Sequence, residues 1–170
     1  MWYVIRVPTG KEEEVKNLCR RQIDKNLLND CFCPKYESVY KKKGQRRIVV
    51  RILFPGYLFL DTDQIELVHE ALRGIPELTK VLKTGDEFIP ITTEEQAFVI
   101  QHGNAEHVFE MSFGYMEGDE VIITSGAFAG YQGVLKHVDR HNRYGVMEID
   151  MFGRITEMQF GLEIVSRVEG

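Results

Sequence analysis

From Glu117 onward the chain offers only short apolar runs, at 121–124, 133–138, 145–149, 155–160 and 163–165, separated by glycine and polar turns. Strand-length runs recurring at roughly ten-residue spacing, with no 3.6-residue periodicity between them, close most economically into a small β-barrel. A barrel of about fifty residues lies near the lower limit for independent folding. Gly145, Gly153 and Gly161, set among β-branched and aromatic residues, oppose helices there and predict a stable barrel.

The first half carries a different pattern. Residues 2–7 read as a buried strand, and Thr9-Gly10-Lys11-Glu12 has the form of a capping box, in which Thr9 and Glu12 satisfy free N–H groups at a helix start. Val15, Leu18, Cys19, Ile23 and Leu27 follow at spacings of three and four, which places them on one helix face. Strands are predicted at 31–39, 48–54 and 57–60, and a second helix over 63–72, capped by Asp63 with Glu66 and stopped by Gly74 and Pro76. Short strands near Val81 and at 88–91 lead to a third helix that starts at Thr92 or Thr93 and ends before Gly103. The order implies an α+β sandwich, a mixed sheet with flanking helices. Residues 103–115 lack clear periodicity and contain Gly103, Asn104, Ser112 and Gly114, so they read as a linker.

Charge seems at first to exclude one class of partner. The 170 residues hold 26 acids against 21 Lys and Arg, a net −5, whereas phosphate-binding surfaces are usually basic. The total conceals its distribution. Between residues 35 and 51 stand Lys35, Lys41, Lys42, Lys43, Arg46, Arg47 and Arg51 against Glu37 alone, a balance of +6, so the remainder carries −11. Lys41, Lys42, Lys43, Arg46 and Arg47 surround Gly44 between two strands, which suggests an exposed basic hairpin or loop; it is either simply solvated or a phosphate contact. A second patch, Lys136, His137, Arg140, His141, Asn142 and Arg143 around Asp139, has charge +2 inside a segment, 111–170, that totals −4. It reads as a plain polar turn or as a site for RNA phosphates and base edges. Because regular A-form RNA hides its base edges, specific recognition would need a bulge, a loop or a widened groove.

Other classes fall away. Cys19, Cys31 and Cys33 are odd in number, and no His or Cys pair follows the Cys31-Phe32-Cys33 pair at finger-like spacing, so the reading is a reduced chain in the cytoplasm with no metal site and no cofactor. The longest apolar stretch, 48–60, is broken by Arg51 and Pro55-Gly56, which argues against a membrane span, and the N-terminus lacks a signal-peptide pattern. No nucleophile elbow, phosphate-binding loop or dinucleotide fingerprint is present, so the chain does not read as an enzyme.

Residues 118–134, GDEVIITSGAFAGYQGV, resemble the KOW motif almost position by position. Trp2-Tyr3-Val4, the helix after Gly10, and Phe54-Pro55-Gly56-Tyr57-Leu58-Phe59 resemble the N-terminal domain of the NusG/Spt5 family of transcription elongation factors. The resemblance implies an N-terminal NGN-type α/β sandwich at 1–102, a linker at 103–115 and an SH3-like KOW barrel at 116–170. It further implies a monomeric factor that binds the clamp helices of the largest RNA polymerase subunit through an apolar groove and suppresses pausing. Trp2, Phe54, Pro55 and Tyr57 match that groove. Trp2 is equally readable as core, whereas Phe54 and Tyr57 flank a Pro-Gly corner, where side chains are expected to reach the surface. The domain would lie beside upstream or non-template DNA. Phe152 and Arg154 match a loop that contacts a small-subunit ribosomal protein or Rho in housekeeping members, and Gly153 could equally make it a structural turn. The basic loop and the KOW turn resemble LoaP-type paralogues, antiterminators that recognise a leader RNA hairpin. A housekeeping factor and a ribosome-associated KOW protein are the alternatives.

Overall fold

A computed structural model describes residues 1–76 and 88–165. The strand expected near Val81 lies outside them. In chain order the elements are β1 (Trp2–Arg6), α1 (Glu12–Gln22), β2 (Asp30–Phe32), β3 (Lys35–Lys42), β4 (Gln45–Ile52), β5 (Tyr57–Asp61), α2 (Ile65–Arg73), β6 (Ile89–Pro90) and α3 (Thr93–His102). There follow β7 (Val108–Phe109), β8 (Ser112–Glu117), β9 (Glu120–Ser125), β10 (His137–Asp139), β11 (Tyr144–Met151) and β12 (Arg154–Ile164). Two compact units result, Met1–Cys33 with Phe54–Ala97, and Pro34–Leu53 with the described residues from Phe98 on.

The first unit is built on a sheet of order β2-β5-β1-β6 with antiparallel neighbours. Its central strand β5 buries Leu58, Phe59 and Leu60 completely, the continuous apolar run of a strand covered on both faces. On β1, Val4 pairs with Phe59 and Ile5 with Leu58, while α1 buries Val15, Leu18 and Cys19. Cys19, Cys31 and Cys33 are buried and form no disulfide. Contact with Cys31, with burial behind it, pushes the Cys19 thiol well above its ordinary range. Among the described residues no group of three or more His, Cys, Asp or Glu side chains is arranged to hold a metal ion, and no helix is long and apolar enough to cross a membrane.

Helix boundaries show which caps win. Thr92 and Glu95 form a full capping box: the Glu95 N–H donates to the Thr92 hydroxyl (3.1 Å) and the Thr92 N–H to the Glu95 carboxylate (3.2 Å). The box expected at Thr9 is not made. Lys11 occupies the cap position of α1 without a side-chain bond, and the Glu12 carboxylate instead accepts the Gly10 N–H. The same helix stops at Gln22, so Leu27 lies beyond it. Ile23 is extended, and Asp24 draws in the next residues: its carboxylate accepts the Asn26 N–H (2.9 Å) and its carbonyl those of Leu27 and Leu28 (3.0 Å each). Such a local turn competes directly with further helix. At α2 the Thr62 hydroxyl, rather than an Asp63 cap, accepts the Gln64 N–H (2.9 Å).

In the second unit a sheet of order β4-β3-β7 accompanies a five-stranded sheet of order β10-β11-β12-β8-β9. The 103–115 stretch is not unstructured: β7 pairs in parallel with β3, and β8 pairs with both β9 and β12. Its strands were illegible because they are short and lack alternation. β12 is one strand where two were expected. Up to Gly161 it pairs with β11, and from Leu162 it pairs with β8. A Cβ at Gly161 would stand 2.2 Å from the Glu37 carbonyl oxygen, so glycine here permits β12 to lie directly against β3. Phe128, Met147, Met158 and Leu162 are wholly buried, and the Phe128 ring lies 4.7 Å from Phe160 and 5.7 Å from Phe109. The His102 ring stacks on Phe128 at 4.6 Å, and its Nδ1 sits 2.9 Å from the Ala127 carbonyl oxygen.

Candidate nucleic-acid interface

The basic segment forms a tight hairpin. Lys42 pairs with Gln45, which leaves Lys43 and Gly44 as the turn, with φ of +52° and +77°. Two positive φ values identify the turn whose twist matches the flanking strands. Period-two alternation puts Tyr36, Ser38 and Tyr40 on one face, opposite Arg51, Val49 and Arg47 respectively. Lys41, Lys42, Lys43, Arg46 and Arg47 are all exposed.

The second basic patch is a turn held by its own acid. The Asp139 carboxylate accepts the Asn142 N–H (2.8 Å) and side-chain amide (3.0 Å). These bonds hold Asp139 below the usual carboxylate range. Arg143 then takes φ +57°, and its carbonyl accepts the Leu162 N–H (3.0 Å). Glu163, at the end of β12, meets the guanidinium of Arg143 (3.4 Å) with one oxygen and that of Arg46 with the other.

Hairpin and turn, remote in sequence, therefore face a common space. A cleft of about 530 Å³ is lined by Tyr36, Ser38, Val39, Tyr40, Lys41 and Arg51 from β3 and β4, by His141, Asn142, Arg143 and Tyr144 from the turn, and by Gln159. Among the described residues no carboxylate lines it, although the chain as a whole carries 26 acids. Burial pushes the Tyr36 hydroxyl above the ordinary tyrosine range, against the pull of Arg51, and Tyr144 adds to the rise. Cations, phenol rings and neutral amides around one concavity can hold phosphates, stack bases and bond to base edges.

Of the residues singled out from sequence, Lys41, His141, Asn142 and Arg143 meet in this cleft. Arg140 is exposed at the turn, and the His137 ring lies 5.9 Å from that of Tyr144. Lys136 does not join them. It binds the carboxylates of Glu157 and Glu148, the latter at 3.2 Å, and these bonds raise its pKa, Glu157 most. Arg51, Tyr36, Tyr40, Tyr144 and Gln159 enter the site unforeseen. The signal for the first three was present in the hairpin register, which follows once Lys43-Gly44 is taken as a two-residue turn.

A family model described as transcription termination factor nusG matches residues 1–99, more than half of the chain, and one described as the KOW motif matches residues 117–150. The chain belongs to the NusG family. Similar curated proteins are the transcription termination/antitermination protein NusG of Thermus thermophilus, 26% identical over 93% of each chain, and that of Haemophilus influenzae, 28% identical over 94% of this chain and 91% of the relative. A solved structure titled "Domain interaction in Thermotoga maritima NusG" is 22% identical, with a TM-score of 0.49, over 94% of this chain and 92% of that one. The chain is thus a NusG-type transcription termination/antitermination factor, a family of transcription factors rather than enzymes.

Within this NusG-family chain the aromatic residues of the first unit lie deeper than expected. Phe54-Pro55-Gly56-Tyr57 is a reverse turn: the Tyr57 N–H donates to the Phe54 carbonyl (3.3 Å), and Gly56 takes φ +86°. The turn folds its flanking rings inward, leaving Pro55 exposed while Phe54, Tyr57 and Trp2 are 3%, 8% and 6% exposed. The expectation that Phe54 and Tyr57 reach the surface is corrected accordingly. Phe54 stacks on Phe59 at 6.0 Å, and Trp2 meets Phe32 edge-on at 4.9 Å. Phe54→Ala should therefore destabilise the chain by about 3 kcal/mol or more; an unchanged denaturation midpoint would contradict this packing. Phe152 and Gly153 likewise form a two-residue turn, with φ of +60° and +74°, between Met151 and Arg154. Phe152 is buried and Arg154 exposed.

Proposed function

We propose that this chain is a specialised antitermination factor that joins transcribing RNA polymerase through its N-terminal domain and takes hold of a leader RNA hairpin through the cleft between the β3–β4 hairpin and the 139–144 turn. The observation that carries the reading is the cation- and tyrosine-lined cleft, without a carboxylate among its described lining residues, in an otherwise acidic NusG-family chain. In domain terms the NGN part is 1–102, the linker 103–115 and the KOW part 116–170. The protein works as a cytoplasmic monomer.

Family membership supports polymerase engagement. The clamp helices would lie against a surface that includes exposed Pro55 and is backed by Trp2, Phe54 and Tyr57, since apolar anchors at a desolvated centre dominate helix-in-groove contacts. Lys42, Lys43 and Arg47 stay exposed on the hairpin for upstream or non-template DNA phosphates. The housekeeping alternative, coupling to Rho or a small-subunit ribosomal protein through Phe152 and Arg154, has the exposed Arg154 in its favour and the burial of Phe152 against it.

Transcription across a terminator, with and without the native leader upstream, separates the two. The expected result is readthrough that rises severalfold only when the leader is transcribed. Effects on pausing or termination that ignore the leader would identify a housekeeping factor and defeat the proposal.

A further inference from the structure

The geometry points to a finer role for the cleft: it receives one unpaired nucleotide of the RNA, its base against the Tyr40 and Tyr144 rings and its flanking phosphates on Lys41 and Arg51. This inference rests on the nucleic-acid reading of the same site.

Size is the first argument. The concavity of about 530 Å³ falls within the roughly 300–1,000 Å³ of small-ligand sites, whereas a paired RNA helix can only lie across its rim. Chemistry is the second. A surface that met duplex phosphates alone would need only cations, yet tyrosines stand beside the cations here. Tyr36 is buried, but Tyr40 is 44% exposed and Tyr144 partly so, which gives two rings with area for a base. Aromatic surface beside a cationic groove is how proteins hold splayed-out bases.

The polar groups fit the same ligand. Asn142 commits one amide N–H to Asp139 at 3.0 Å, which fixes the amide and leaves its carbonyl oxygen to accept from a base amino group. Ser38 and Gln159 add neutral donors and acceptors. Arg143 is shared with Glu163 at 3.4 Å, whereas among the described residues neither Lys41 nor Arg51 has a carboxylate partner within ion-pair distance. Those two cations therefore carry the unneutralised charge at the wall, where phosphates on either side of an extruded base would lie.

The test uses the full chain and two RNA hairpins of the same stem, one with a single extrahelical 2-aminopurine and one fully paired. Expected are at least tenfold tighter binding of the bulged hairpin and quenching of 2-aminopurine fluorescence on binding. Tyr40→Ala should abolish most of both effects, and Tyr40→Phe, which keeps the ring, should restore them. Because Tyr40 is half-exposed, Tyr40→Ala is expected to keep the wild-type circular dichroism spectrum. Equal affinity for the two hairpins, or quenching that survives Tyr40→Ala, would overturn the nucleotide site while leaving phosphate binding by the cleft intact. Failure to bind either hairpin at low salt would overturn both the inference and the reading beneath it.

Discussion

Replacing Lys41, Arg51 and Arg143 together by alanine is expected to weaken binding of a leader RNA hairpin by at least a hundredfold near physiological salt. The three cations line one cleft that holds no carboxylate among the described residues. A charge-assisted bond is worth roughly 1.5 kcal/mol at its lower end, and three of them amount to more than two powers of ten in affinity. The dependence of log K on log salt should also become shallower by about two to three units, since each lost phosphate contact removes nearly one released counterion. Fold should survive, because Lys41 and Arg51 are exposed and Glu163 keeps Arg46 when Arg143 is removed. Lys136→Ala serves as the contrast. That ammonium already sits between Glu148 and Glu157, so its loss should change affinity severalfold at most. Equal losses from Lys136→Ala and the triple variant, measured by titration at several salt concentrations, would move the site away from the cleft.

Gly126→Ala should unfold the second unit, with a loss of at least about 4 kcal/mol. Two independent penalties act there. Gly126 has φ +88°, the left-handed region that a Cβ disfavours, and an added Cβ would stand 1.9 Å from the Met111 carbonyl oxygen and 2.6 Å from the Ser112 Cα. Neither neighbour is a flexible side-chain end. The strain would fall on β8, whose Ser112 hydroxyl accepts the Phe128 N–H at 3.1 Å and so ties the glycine-rich turn to the barrel core. Gly153→Ala is the matched control. Gly153 also has positive φ, +74°, but a Cβ there meets nothing within 4 Å. Its cost should be limited to about 1 kcal/mol of backbone strain. Denaturant melts of the two variants that coincide would contradict the close approach at Gly126.

These contrasts show where sequence was informative. Local chemistry was legible: the start of α3 beside Thr92, the strand at 57–60 and the strand-rich second half all follow from neighbours within a few residues. Competition between local options was less so, as the displaced starts of α1 and α2 and the Asp24 turn show. Long-range pairing was the least legible. The parallel pairs β3 with β7 and β8 with β12 leave no periodic signature, so residues 103–115 looked structureless and the two basic patches looked separate. The same pairing puts Arg46 and Arg143 on one carboxylate, Glu163, and Tyr36 and Tyr144 around one cleft. Lys136 illustrates the converse. A lysine in a basic run reads as available until the register sets Glu148 opposite Glu157 beside it. Phe54 and Tyr57 were misread for a related reason: a Pro-Gly corner exposes its central residues, while the residues on either side turn back into the core.

Photo-crosslinking inside a transcribing complex tests the central claim most directly. A leader RNA carrying 4-thiouridine in its hairpin, bound by the full chain on paused polymerase, should form crosslinks that map to β3–β4 and to the 139–144 turn, with the triple alanine variant losing them. Crosslinks that map instead to Phe152–Arg154 or to the first unit, or a wild-type yield unchanged by the triple substitution, would contradict the account.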